Sequence, residues 1–88
     1  MMIYKVIIPK PIQKQLDELQ KDLKIRITDR ILALAENPRP DGVVKLKGIE
    51  NEYRIRIGDY RVRYEIEDQN LIVLVLDCRH RRDVYRKF

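Results

Sequence analysis

The chain has 88 residues, 44% of them hydrophobic and 38% charged, with a net charge of +5 and a pI near 9.5. That size allows one domain with one modest core, and the hydrophobic fraction excludes a disordered chain. The basic excess points to a polyanionic partner, either nucleic acid or an acidic protein. One cysteine, Cys78, excludes an internal disulfide, and one cysteine with one histidine leaves the usual zinc ligand sets incomplete. No run approaches the ~20 apolar residues of a membrane span. Met1–Lys10 lacks the small-residue cleavage site of a signal peptide. The expectation is a cytoplasmic protein without a cofactor, a metal or a membrane anchor.

In chain order, Ile3-Tyr4-Lys5-Val6-Ile7-Ile8 is a predicted strand ending at Pro9. Pro11 suits the first turn of a helix, where its missing N–H costs nothing. Ile12, Leu16 and Leu19 then recur at helical spacing. Asp22 is a candidate N-cap for a second helix from about Leu23, whose stripe is Leu23, Ile27, Ile31 and Leu34. Asn37-Pro38 ends it, because the residue before proline disfavours the α conformation. Residues 11–37 therefore read as a helical hairpin with one apolar side. Val43–Leu46 is a short strand after the Arg39-Pro40-Asp41-Gly42 turn. Leu71–Leu76 is a continuous apolar run, predicted to be a central strand buried on both faces.

Between these lie two runs of strict alternation, Tyr53–Ile57 and Tyr60–Tyr64, joined by Gly58-Asp59. A Gly-X pair in that position is a two-residue hairpin turn. The implied register sets Ile57 opposite Tyr60, Ile55 opposite Val62 and Tyr53 opposite Tyr64 on an apolar face. Arg56 then faces Arg61, and Arg54 faces Arg63, on the other. Directly opposed like charges destabilise a sheet. A face that keeps four arginines in that arrangement is suited to an anion, which guanidinium forks grip bidentately. Lys45 and Lys47, two apart and so on one strand face, precede this cluster, and Arg79, Arg81 and Arg82 follow it. Tyr85 stands among the basic residues of the tail, where an aromatic suits stacking on unpaired bases. Cys78 reads as a small core residue, and His80 as a group able to titrate near neutrality.

The fold class is α+β: a small antiparallel sheet with an N-terminal helical hairpin on one face and a short C-terminal helix or tail, all in one domain over residues 1–88. The chain resembles the RelE-type toxins of the RelE/ParE superfamily. The residues that carry the resemblance are Lys45-Leu46-Lys47-Gly48, Tyr53-Arg54-Ile55-Arg56, Gly58-Asp59-Tyr60-Arg61-Val62-Arg63-Tyr64 and His80-Arg81-Arg82-Asp83-Val84-Tyr85. None is specific alone; together, in this order and at this length, they are strong.

The resemblance implies a ribosome-dependent endoribonuclease that cuts messenger RNA, neutralised by an antitoxin encoded beside it. It implies catalytic roles for Arg54, Arg56, Arg61, Arg81 and Tyr85, with Lys45, Lys47, Arg63, Arg79 and Arg82 as RNA contacts. A different spacing exchanges Arg79 for Arg81. Arginine does not readily lose a proton, so Arg54 and Arg56 are poor general acids. Two alternatives stay open: a ParE-like toxin acting on DNA gyrase, and a nucleic-acid-binding module without chemistry.

Overall fold

The computed structural model describes residues 3–82. Chain order is β1 (Lys5–Ile7), α1 (Lys10–Asp17), α2 (Lys21–Leu32) with a 3-10 turn (Ala33–Ala35), β2 (Val44–Lys45), β3 (Glu52–Ile57), β4 (Tyr60–Glu67) and β5 (Ile72–His80). The five strands form one sheet in the order β1-β5-β4-β3-β2. Every neighbouring pair is antiparallel except β1 with β5, which is parallel. The α+β expectation holds, as a mostly antiparallel sheet covered on one face by two helices.

α1 opens after Pro9 with Pro11 in its first turn, and buries Ile12 and Leu16. α2 starts earlier than the sequence suggests. Gln20, extended at φ −55° and ψ 144°, is its N-cap, and Asp22 sits inside the first turn. A carboxylate there still favours the helix by facing the positive end of its dipole. Ile27, Ile31 and Leu34 are buried as the stripe predicts, while Leu23 packs half-buried at its margin. These helical residues share one core with Tyr53, Ile55, Ile57, Val62, Tyr64, Ile66, Val73, Val75 and Cys78 of the sheet. The helices therefore lie on the face to which those strand residues point.

The Leu71–Leu76 run is not the central strand. β4 is central, and β5 stands second from the edge between β4 and the three-residue β1. Nor is β5 buried on both sides. Val73 and Val75 are inside, whereas Ile72, Leu74 and Leu76 are half-buried. On that second face Ile72 and Leu74 have only Lys5 and Ile7 of β1 beside them on one flank, so cover is partial.

A candidate active site on the helix-free face

The hairpin register is the one read from the sequence. Tyr53 pairs with Tyr64, Arg54 with Arg63, Ile55 with Val62, Arg56 with Arg61 and Ile57 with Tyr60. Gly58 makes the turn possible at φ +60°, in the left-handed region that glycine enters without penalty. Since Ile55, Ile57, Val62 and Tyr64 are buried under the helices, Arg54, Arg56, Arg61 and Arg63 project from the opposite face.

β5 joins this face through an irregularity. Arg63 pairs with Asp77 but Tyr64 pairs with Val75, so Leu76 is an extra residue in β5. This bulge reverses the alternation. Before it, odd residues Val73 and Val75 point into the core; after it, Cys78 does, and Asp77 and Arg79 turn outward. Arg79 thereby comes directly opposite Arg61. Arg56, Arg61 and Arg79 form a row across three strands, a third arginine beyond the two that the hairpin alone provides.

The arginines differ in what they touch. Arg63 is held at both ends, by Glu52 Oε1 at 2.7 Å and Asp77 Oδ2 at 3.4 Å. It acts as a cross-strand clamp, which lessens its value as an RNA contact. The other Asp77 oxygen lies 3.0 Å from Arg79 Nε. Arg56 Nε donates to Gly58 O at 2.9 Å, which fixes the guanidinium near the hairpin tip. Arg54 has no carboxylate within 4 Å among the described residues.

Other predicted site residues fall elsewhere. Arg81 lies beyond the last β5 residue. Its N–H donates to Asp59 O at 2.7 Å, and its Nε stands 3.7 Å from Asp59 Oδ1 at the exposed tip. Arg82 is exposed, and its N–H donates to His80 Nδ1 at 3.1 Å. Lys45 pairs with Tyr53 and so has the parity of the core-side residues, apart from the arginine row. Lys47 lies past the end of the two-residue β2, so the shared strand face expected for the two lysines does not form. His80 pairs with Tyr60 and meets its ring edge-on at 5.2 Å, on the helix side. His80 thus lies apart from the arginine row. Burial pushes the Cys78 thiol up to about 11, which keeps it protonated at neutral pH and removes it as a nucleophile. Tyr85 lies outside the described residues. Asp77, which sequence reading missed, links Arg63 to Arg79. Its signal is the acid two residues before Arg79, and its orientation depends on the bulge.

A small mixed sheet thus carries a two-helix cover on one face and arginines in cross-strand rows on the other. The family model described as the ParE toxin of type II toxin–antitoxin systems, parDE, matches residues 6–85. The toxin candidate RelE1 of Methanocaldococcus jannaschii is 30% identical over 97% of this chain and 98% of its own length. RelE in the archaeal RelE–RelB complex of Pyrococcus horikoshii is 33% identical, with a TM-score of 0.81 over 91% of this chain and 97% of that one. The isolated E. coli RelE toxin has the same fold at 20% identity, with a TM-score of 0.75 over 97% and 99% of the two chains. The chain belongs to the RelE/ParE superfamily of type II toxins, and within it to the RelE type.

Proposed function

We propose that this toxin is a ribosome-dependent endoribonuclease, and that Arg61 and Arg79 are its principal charge-stabilising residues. The observation that carries the reading is the row Arg56, Arg61 and Arg79, brought across three strands onto the face the helices leave open. The attacking group is the 2′-hydroxyl of the RNA itself. Its oxygen bonds to the adjacent phosphorus, and the P–O5′ bond breaks. The 2′ proton leaves, and a proton joins the 5′ oxygen. The site's task is positioning and stabilisation of crowded negative charge, where preorganised donors are most effective. Arg54 and Arg56 orient the phosphate. Tyr85 stacks on a base or assists the 2′-hydroxyl. The carboxylates on that face, Glu52 and Asp77, are engaged by Arg63 and Arg79, so this reading assigns no general base there and leaves much of the substrate geometry to the ribosome. Of the two arginines that spacing leaves open, Arg79 is favoured by its pairing with Arg61, and Arg81 becomes a contact at the hairpin tip.

The partner is an antitoxin from the adjacent gene, in keeping with the RelE–RelB complex of P. horikoshii. The site of action is the cytoplasm, where ribosomes work. A second reading, action on DNA gyrase, draws on the ParE description of the matching family model.

Primer extension on translating ribosomes tests the proposal. Wild-type protein is expected to cut, and Arg61→Ala to cut on the order of 100-fold more slowly or worse. Tyr85→Phe separates stacking, which survives, from proton transfer, which does not. Growth arrest without cuts would sink the nuclease and favour the gyrase reading.

A further inference from the structure

The face that gathers cations also holds two shielded carboxylates, and they link its arginines in series. Glu52 of β3 binds Arg63 of β4 at 2.7 Å, Arg63 reaches Asp77 of β5 at 3.4 Å, and Asp77 binds Arg79 at 3.0 Å. The Asp77 carboxylate is only 19% exposed and that of Glu52 14%, so solvent screens this chain less than a surface pair. Asp77 points this way only because Leu76 bulges; a regular β5 would turn it into the core.

We propose that Asp77 is a positioning residue for Arg79. The inference rests on the nuclease reading above. Asp77 engages the Arg79 guanidinium through Nε. A guanidinium has five N–H donors in a planar fork. A contact at Nε leaves both terminal nitrogens to meet a phosphate bidentately. Its second oxygen draws Arg63 back toward Glu52. The carboxylate also offsets the repulsion between the directly opposed Arg61 and Arg79. One residue thus aims the fork, limits its rotamers and lets two arginines stand side by side without RNA.

Two roles for this carboxylate predict opposite signs. An acid beside a polyanion site weakens binding by charge alone, so a carboxylate that merely tempers the positive surface acts as a brake. A carboxylate that aims Arg79 acts on the rate at saturation. Asp77→Asn keeps the shape and removes the charge, so it separates the two.

The experiment is cleavage of messenger RNA on translating ribosomes, with rate at saturation and half-saturating ribosome concentration measured separately. Thermal melting serves as the folding control. Asp77→Asn is expected to lower the saturating rate on the order of 10-fold or more, since small misplacements of a charge-stabilising group are costly. The half-saturating concentration should stay level or fall. In an Arg79→Ala background the same change should have no further effect. Where Asp77→Asn does not fold, Asp77→Glu keeps the charge but displaces the fork, and the same loss at unchanged half-saturation is expected. Wild-type or faster cleavage by the folded variant, or an equal loss with and without Arg79, would overturn the proposal. If Arg79→Ala itself cuts normally, the assignment of Arg79 fails instead, and Asp77 loses its role with it.

Discussion

Arg39 and Arg79 sit in different regions of the molecule and engage their donors in opposite ways. Arg39, in the connection after the helices, is exposed yet engages every part of its head group with neighbours in the protein. Its Nε donates to Tyr53 Oη at 3.2 Å, and its two terminal nitrogens donate to Asp68 at 3.3 and 2.9 Å. The guanidinium also lies 5.2 Å from the Tyr53 ring centroid, a cation–π contact. Asp68 accepts in turn from Tyr4 Oη at 2.7 Å, and beside this group Tyr64 Oη donates to Pro38 O at 2.7 Å. The result ties β1, β3, β4 and the segment after the helices together. Arg79 is anchored to its carboxylate at one nitrogen and shares its face with a second arginine. Equal residue types, with equal formal charge, serve packing in one place and, on the function proposed above, an outside anion in the other. Saturation of the fork distinguishes them, and net charge does not.

That contrast is open to a direct exchange of readouts, and this is the largest effect expected. Arg79→Ala should cost on the order of 100-fold in ribosomal cleavage with little change in melting. Arg39→Ala should lower the melting temperature and leave the cleavage rate of the folded fraction intact. If Arg39→Ala abolishes cleavage at full fold, or Arg79→Ala simply unfolds the protein, the division between the two regions fails.

How much of this division is legible in the sequence follows the range of the interactions. The hairpin register is legible because Gly58-Asp59 and the period-2 alternation are local, and they decide both faces of β3 and β4 together. The helical stripe is legible for the same reason. The bulge at Leu76 is not, since Leu71–Leu76 is apolar at every position and carries no alternation from which a phase shift can be read. Without that shift, Asp77 and Arg79 cannot be placed on a face. The Arg39 network is hidden for another reason. Arg39 and Asp68 are 29 residues apart, and Tyr4 and Asp68 are 64 apart, so only the folded sheet brings them together. The misplaced centre of the sheet is a related failure: an apolar run reports burial, but it does not report which strand holds the middle.

The next effect sharpens the packing side of the comparison. Tyr64 is fully buried, and burial holds its hydroxyl protonated well beyond the usual tyrosine range. Its O–H satisfies the carbonyl of Pro38, a residue that is itself buried. Tyr64→Phe should keep the ring and its stacking on Tyr53 at 6.1 Å, and leave that carbonyl without a donor. The expected cost is about 1–2 kcal/mol, read as a lower denaturation midpoint with an unchanged slope. Cleavage per folded molecule should not change. A midpoint equal to wild type would mean that water replaces the hydroxyl, and that the segment after the helices is held by Arg39 alone.

The smallest effect concerns acid. The hydrogen bonds from Arg39 and then Tyr4 hold the Asp68 carboxyl below the usual aspartate range. In an unfolded chain an aspartate titrates near ~3.9. A native value below that means the unfolded state binds the proton first. The contribution of Asp68 to stability is therefore complete above about pH 4 and is lost as pH falls through the native value. The Arg39–Asp68 pair is exposed, at 41% and 54% of its side chains, so solvent screens it and the shift in melting temperature should be modest. Asp68→Asn should melt below wild type at pH 7, and the gap should narrow as pH falls below about 4. Asp17, lowered by Lys24 and Gln13 on the helical hairpin, titrates in the same direction, so the comparison must be made against wild type at each pH and not against a fixed baseline. A gap that stays constant through the acid range would show that the carboxylate contributes by shape and hydrogen bonding alone. Arg39 would then owe its place to Tyr53, and the ionic half of the contrast with Arg79 would fall.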